Sequence, residues 1–110
     1  MKYCVFIITD AEEDIFAIYN YIVSAESVEK AESVYQTIQS TCLSLSELPN
    51  RGHYPSELER LNIYEYREVH CYPFRIIYQV KQRDVYIHCV LDGRREIQEL
   101  LEKRLLRSIV

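Results

Sequence analysis

Arg67, Arg75, Arg94 and Arg95 are the residues whose type and placement most suggest a functional chemistry. A guanidinium holds a permanent charge and a rigid fork of donors that fits phosphate or carboxylate bidentately, so converging arginines make an anion site. Their spacing allows convergence. A turn about Cys71 between two strand-like runs would make Arg67 and Arg75 near cross-strand neighbours, and a tight turn at Gln82-Arg83 would lay Arg75 beside Val90, close to where Arg94 and Arg95 follow the last run. Like charges so placed repel unless an anion or a carboxylate lies between them. Glu65, Glu68, Asp92 and Glu96 are close enough in sequence to be those carboxylates on a solvated face. The four arginines therefore read either as an anion-binding group or as members of surface ion pairs.

The other reactive side chains carry weaker signals. Cys4, Cys42, Cys71 and Cys89 stand far apart among apolar neighbours, with no close CxxC pair, and read as reduced core thiols of a cytoplasmic protein. His53, His70 and His88 lack metal-ligand spacing, so no metal and no cofactor is expected. His70 and His88 fall within strand-like runs and read as half-buried, hydrogen-bonded imidazoles. Ten tyrosines suit half-buried strand positions and recognition surfaces alike.

Net charge is −4, against a protein that simply coats nucleic acid. The halves differ: residues 1–59 carry three basic and ten acidic side chains, residues 60–110 ten basic and seven acidic, giving −7 and +3. An anionic partner should meet the second half. The first apolar run is too short for a signal-peptide core or a membrane span. With 110 residues and 48% hydrophobic content, 1–110 reads as a single ordered domain.

The elements that must position these groups follow from periodicity. Tyr3 to Thr9 reads as a strand. Asp10 and Glu13 suggest a capping box opening a helix over 10–24, with Ile15, Ile18 and Ile22 on one face. Ala31, Val34, Tyr35, Ile38, Cys42, Leu45 and Leu48 mark a second helix over 28–48, stopped by Pro49-Asn50-Arg51-Gly52. Strands follow at 63–70, 74–81 and 85–91, joined by short links that favour an antiparallel meander. After Gly93 comes a short C-terminal helix carrying Ile97, Leu100, Leu101 and Leu105. The fold class is α+β in the order β-α-α-β-β-β-α, an antiparallel sheet with a helical hairpin on one face and a concave face open to a partner. The N-terminal strand should pair antiparallel to the 63–70 strand or lie at an edge.

Residues 48–58 (LPNRGHYPSEL), 66–69 (YREV), 74–80 (FRIIYQV) and 90–96 (VLDGRRE), followed by a leucine-rich helix, together resemble the RelE/ParE toxin superfamily over nearly the whole chain. No one of these motifs is specific alone; their order and spacing carry the resemblance. The Pro49-x-x-Gly52 loop, the Arg67-Glu68 strand and the Gly93-Arg94-Arg95 element look more like ParE than RelE.

The resemblance implies the toxin of a type II toxin–antitoxin, or plasmid-stabilisation, system, silenced by a cognate antitoxin. A ParE-like member would inhibit DNA gyrase by protein binding. A RelE-like member would instead cut mRNA in the ribosome, with Arg75 and Arg95 matching two catalytic arginines and Arg67 nearby. The chain departs from RelE at its lysine-free strand before Arg67 and at Leu101, where RelE places a tyrosine. General acid and base groups are then missing, although His70, Tyr64, Tyr66 or Tyr86 could substitute. A third reading is an inert relative that only binds its antitoxin. The target-binding residues expected are Arg67, Arg75, Arg94 and Arg95. The last helix offers an apolar stripe for the antitoxin at Leu105, Leu106 and Ile109, with homodimerisation through the same surface when the chain is isolated.

Overall fold

A computed structural model describes residues 2–106. Ile109 and Val110 lie outside them. Strand β1 (Cys4–Ile7) leads into helices α1 (Thr9–Ala25) and α2 (Val28–Leu43), which form the hairpin. A one-turn helix α3 (Ser56–Glu59) precedes strands β2 (Arg67–Cys71), β3 (Phe74–Lys81) and β4 (Asp84–Asp92), and α4 (Gln98–Leu105) follows. The strands form one sheet in the order β1-β4-β3-β2, with the meander antiparallel as expected. β1 occupies an edge, but it pairs parallel to β4 and not with the strand of residues 67–71. The crossover through the hairpin explains this, because a strand that returns across a helical layer runs parallel to its neighbour.

Local physics accounts for the altered boundaries. The first helix begins at Thr9 after an extended Ile8 without a side-chain cap, so the Asp10–Glu13 capping box does not form. The second helix is capped instead by Ser27, whose Oγ accepts the Lys30 N–H at 3.0 Å. It stops at Leu43 and tightens into a 3-10 turn over Ser44–Ser46 before Leu48 takes a left-handed φ of 51° ahead of Pro49. The strand expected from residue 63 starts only at Arg67, because Tyr66 turns into a second apolar cluster.

Two cores result. Ala11, Ile15, Ile38, Cys42 and Leu45 of the hairpin side pack on Phe74, Ile76, Tyr78, Val85, Ile87 and Val90. Across the sheet, Leu58, Tyr66, Ile97, Leu101 and Leu105 cover Ile77, Cys89 and Leu91. The second sheet face is therefore not an open concavity: α3 and α4 roof its middle. A bulge at His88 makes this possible, since Ile77 pairs with Cys89 while Tyr78 pairs with Ile87. The inserted residue lets the two apolar pairs face opposite sides.

The free rim of β4 is closed by side chains. Beyond the end of β1, Val90 donates its N–H to Asp14 Oδ2 at 3.0 Å, and Arg104 donates to the His88 carbonyl at 2.9 Å and to both Asp14 oxygens at 3.1 and 3.2 Å. An ion pair between α1 and α4 thus takes over backbone groups that a neighbouring strand would satisfy. Burial opposes the Arg104 charge, but the Asp14 hydrogen bond together with the neighbouring charges, Asp10 among them, outweighs it and the net shift is upward. No helix among the described residues is long and apolar enough to cross a membrane.

Candidate functional site

The structure does not bring the four arginines together. The β2–β3 hairpin turns at Tyr72-Pro73, so His70 and not Arg67 faces Arg75, while Arg67 faces Tyr78. Strand alternation then puts Arg67 and Arg75 on opposite faces of the sheet. The His88 bulge also shifts Arg75 from the expected Val90 to Leu91. No three-arginine group forms.

Arg67 holds a loop. Its Nη1 donates to the Gly52 and Asn50 carbonyls at 2.8 and 3.3 Å, and its guanidinium stands 4.8 Å from the Tyr54 ring centroid. Nearby, the buried Tyr78 hydroxyl donates to the Pro49 carbonyl at 2.6 Å and accepts from the Gly52 N–H at 3.1 Å. A Cβ on Gly52 would stand 2.5 Å from that hydroxyl and 2.6 Å from the Glu68 carbonyl, which explains the glycine in the Pro-x-x-Gly loop.

Arg75 is consumed by two carboxylates. Its Nε and Nη2 grip Glu68 at 2.7 Å each, and Nη1 and Nη2 grip Glu57 at 2.8 and 2.7 Å. The Arg75 side chain is only 14% exposed and that of Glu68 only 2%. Arg75 pulls the Glu57 carboxyl down from 4.5 to about 2. Burial pushes the Glu68 carboxyl up, but the hydrogen bonds and charges of Arg75, His70 and His53 together outweigh it and the net shift is downward. The Arg75 charge is in turn locked in by Glu57 and Glu68. Glu68 was legible as a partner, two residues before His70 on an alternating strand; Glu57 was not, because nothing in the sequence marks a single helical turn at 56–59.

His53 and His70 border this cluster, and both are exposed, contrary to the half-buried His70 expected. With Glu68 they form a group whose ligand atoms all lie within 4.8 Å of one another. Sequence spacing hid it because His53 arrives from a separate segment, bridged to Glu68 outside the meander. His88 sits elsewhere, half-buried against the Tyr66 ring at 5.4 Å, and burial lowers its pKa.

Arg94 and Arg95 remain on the surface. Arg94 is 63% exposed and grips Asp92 at 2.8 and 3.0 Å, which draws the Asp92 carboxyl down to about 2. Arg95 is exposed beside it. Both line a cleft of about 890 Å³ between the hairpin and the β2–β3 turn, whose walls include Ile22, Phe74 and two exposed aromatics, Tyr21 at 71% and Tyr72 at 87%.

The chain matches the family described as ParE toxin of type II toxin-antitoxin system, parDE, over residues 5–97. The chain belongs to the ParE toxin family. Membership makes it the toxin of a type II pair, with an antitoxin as its partner. Among solved structures it is similar to the chromosomal ParDE TA system from P. aeruginosa, with 22% identity, a TM-score of 0.68, and coverage of 81% of this chain and 94% of that one. At that identity the likeness speaks for the fold. A search among curated proteins gave no significant match.

In this ParE toxin the apolar stripe of α4 is divided. Leu101 and Leu105 are core residues of the second cluster, Leu106 is partly buried against it, and Leu100 is exposed. Leu105 therefore offers no free wall to a partner, and the helix is anchored by Arg104 on Asp14.

Proposed function

We propose that this ParE toxin acts in the cytoplasm by binding a protein target, DNA gyrase, without cleaving nucleic acid itself. One observation carries the reading: the arginine best placed to grip a phosphate, Arg75, is neutralised by Glu57 and Glu68, and Arg67 is spent on loop carbonyls. A phosphoryl-transfer site needs cations free to stabilise a developing oxyanion, and these are not free. Arg94 and Arg95 beside Tyr21 and Tyr72 instead make the arginine-and-tyrosine composition of a protein-binding hot spot. Target recognition is assigned to that cleft.

The antitoxin is proposed to dock beside α4, where Leu100 and Leu106 retain accessible surface. Cutting the chain after Lys103 is a poor test, since it removes Arg104 and Leu105 from the fold; Leu100→Glu with Leu106→Glu is the sharper one. The function itself is tested by inducing the chain without antitoxin. DNA breaks with an SOS response should precede any loss of message, whereas early codon-dependent message cleavage would replace this reading with the RelE-like one.

A further inference from the structure

His53, Glu68 and His70 are brought together by backbone pairing between the loop that follows Pro49 and strand β2. His53 and Glu68 exchange both backbone hydrogen bonds, at 3.1 and 2.7 Å, so they are a directly opposed antiparallel pair with side chains on one face. His70 lies two residues along β2, on that same face. Its Nε2 stands 2.8 Å from Glu68 Oε2, the His53 Nε2 stands 3.7 Å from Oε1, and the two rings meet edge to face with centroids 5.1 Å apart.

We propose that these three residues bind a divalent transition ion of the zinc class, with its remaining positions open to water. The donor set is two imidazoles and one carboxylate, which suits zinc and its neighbours and does not suit magnesium or calcium, which prefer all-oxygen shells. Ligand atoms about 2.1 Å from a tetrahedral ion lie about 3.4 Å from one another. The three donors, all within 4.8 Å of one another, reach that spacing by small side-chain rotations, and both imidazoles are exposed and free to make them.

Glu68 is the fixed point. It is buried, and Arg75 clamps each oxygen from one side, leaving lone pairs on the side of the histidines. Arg75 thereby acts as the outer-shell hydrogen-bond donor that orients a ligating carboxylate. Its positive charge would oppose a cation by itself, but Glu57 binds the same guanidinium, so two carboxylates and one guanidinium leave the cluster at −1. Metal bridging His53 to β2 would also pin the 49–53 loop that Tyr78 and Arg67 already hold.

The test uses the untagged full-length chain, stripped with a chelator and titrated with Co(II), and with Zn(II) against a chromophoric competitor. One equivalent should bind. His53→Ala and His70→Ala should each weaken zinc binding by more than about tenfold, with His88→Ala unchanged. The Co(II) spectrum should lack thiolate charge-transfer absorption, whose presence would place the ion on a cysteine and overturn the proposal. Because either substitution alters the packing of the loop, the unaltered chain supplies a second readout: Co(II) should broaden the imidazole NMR signals of His53 and His70 and spare His88. Absence of stoichiometric binding, or binding insensitive to both substitutions, overturns the site.

Discussion

Replacing Arg75 by alanine should destabilise the fold before it affects any target. The substitution strands Glu57 and Glu68, both buried, which together accept four charge-assisted hydrogen bonds of 2.7–2.8 Å from this one side chain. Holding Glu57 at about 2 instead of 4.5 corresponds to about 3 kcal/mol, which we discount to about 2 kcal/mol because the cluster opens to solvent on one side. Adding the stranded Glu68 brings the loss to about 3–5 kcal/mol, the usual cost of removing one partner from a buried pair. A domain of this size has about 5–15 kcal/mol in all. Urea unfolding at pH 7 should therefore show the midpoint falling by roughly 2 M with an unchanged slope. Both carboxyls are depressed in the fold, so their contribution is present above about pH 4.5 and fades as pH falls toward 2. The gap between the native protein and Arg75→Ala should narrow over that window. Glu57→Gln, Arg75→Met and Glu68→Gln combined should recover most of the loss, since no charge is then stranded. A loss below about 1 kcal/mol, or a gap that does not shrink with acid, would refute the reasoning.

Other substitutions test separate parts of the structure. Gly52→Ala should cost about 2–3 kcal/mol, seen as a lowered melting temperature, because its Cβ meets the Tyr78 hydroxyl and the Glu68 carbonyl with no room to retreat. Arg104→Ala should cost about 2–4 kcal/mol and raise hydrogen exchange at Val90 and its β4 neighbours, since it strips the rim of β4 and leaves Asp14 without its cation; unchanged exchange there would count against the side-chain closure. Arg94→Glu with Arg95→Glu should leave the melting temperature unaltered while abolishing toxicity in cells, and retained toxicity would remove the cleft from target recognition. Leu100→Glu with Leu106→Glu should weaken antitoxin binding with the fold intact, as read by titration calorimetry and circular dichroism.

Periodicity in the sequence was enough to reveal the hairpin, the meander and the last helix, because each buries a regular stripe: Ile15 and Ile22 on α1, Ile38 and Cys42 on α2, Ile76 and Tyr78 on β3. Pairing across the sheet was less legible. The parallel docking of β1 on β4 depends on where the hairpin delivers the chain, and Val5 and Ile7 would look the same in an antiparallel strand. The arginines show the harder limit. Their apparent convergence assumed a turn about Cys71 and an unbroken β3–β4 ladder; the turn at Tyr72-Pro73 moved Arg67 to the opposite face and the His88 bulge moved Arg75 by one residue. A one-residue change in register reverses or displaces every side chain after it. Glu57 and His53 were invisible as site residues because they act through tertiary contacts made by a short turn and an isolated bridge.

Purified toxin mixed with DNA gyrase and relaxed plasmid tests the central proposal most directly. Supercoiling should be inhibited, inhibition should vanish on adding antitoxin, and the Arg94→Glu, Arg95→Glu variant should leave gyrase active. Full supercoiling in the presence of folded toxin, together with cleavage of message on ribosomes, would contradict it.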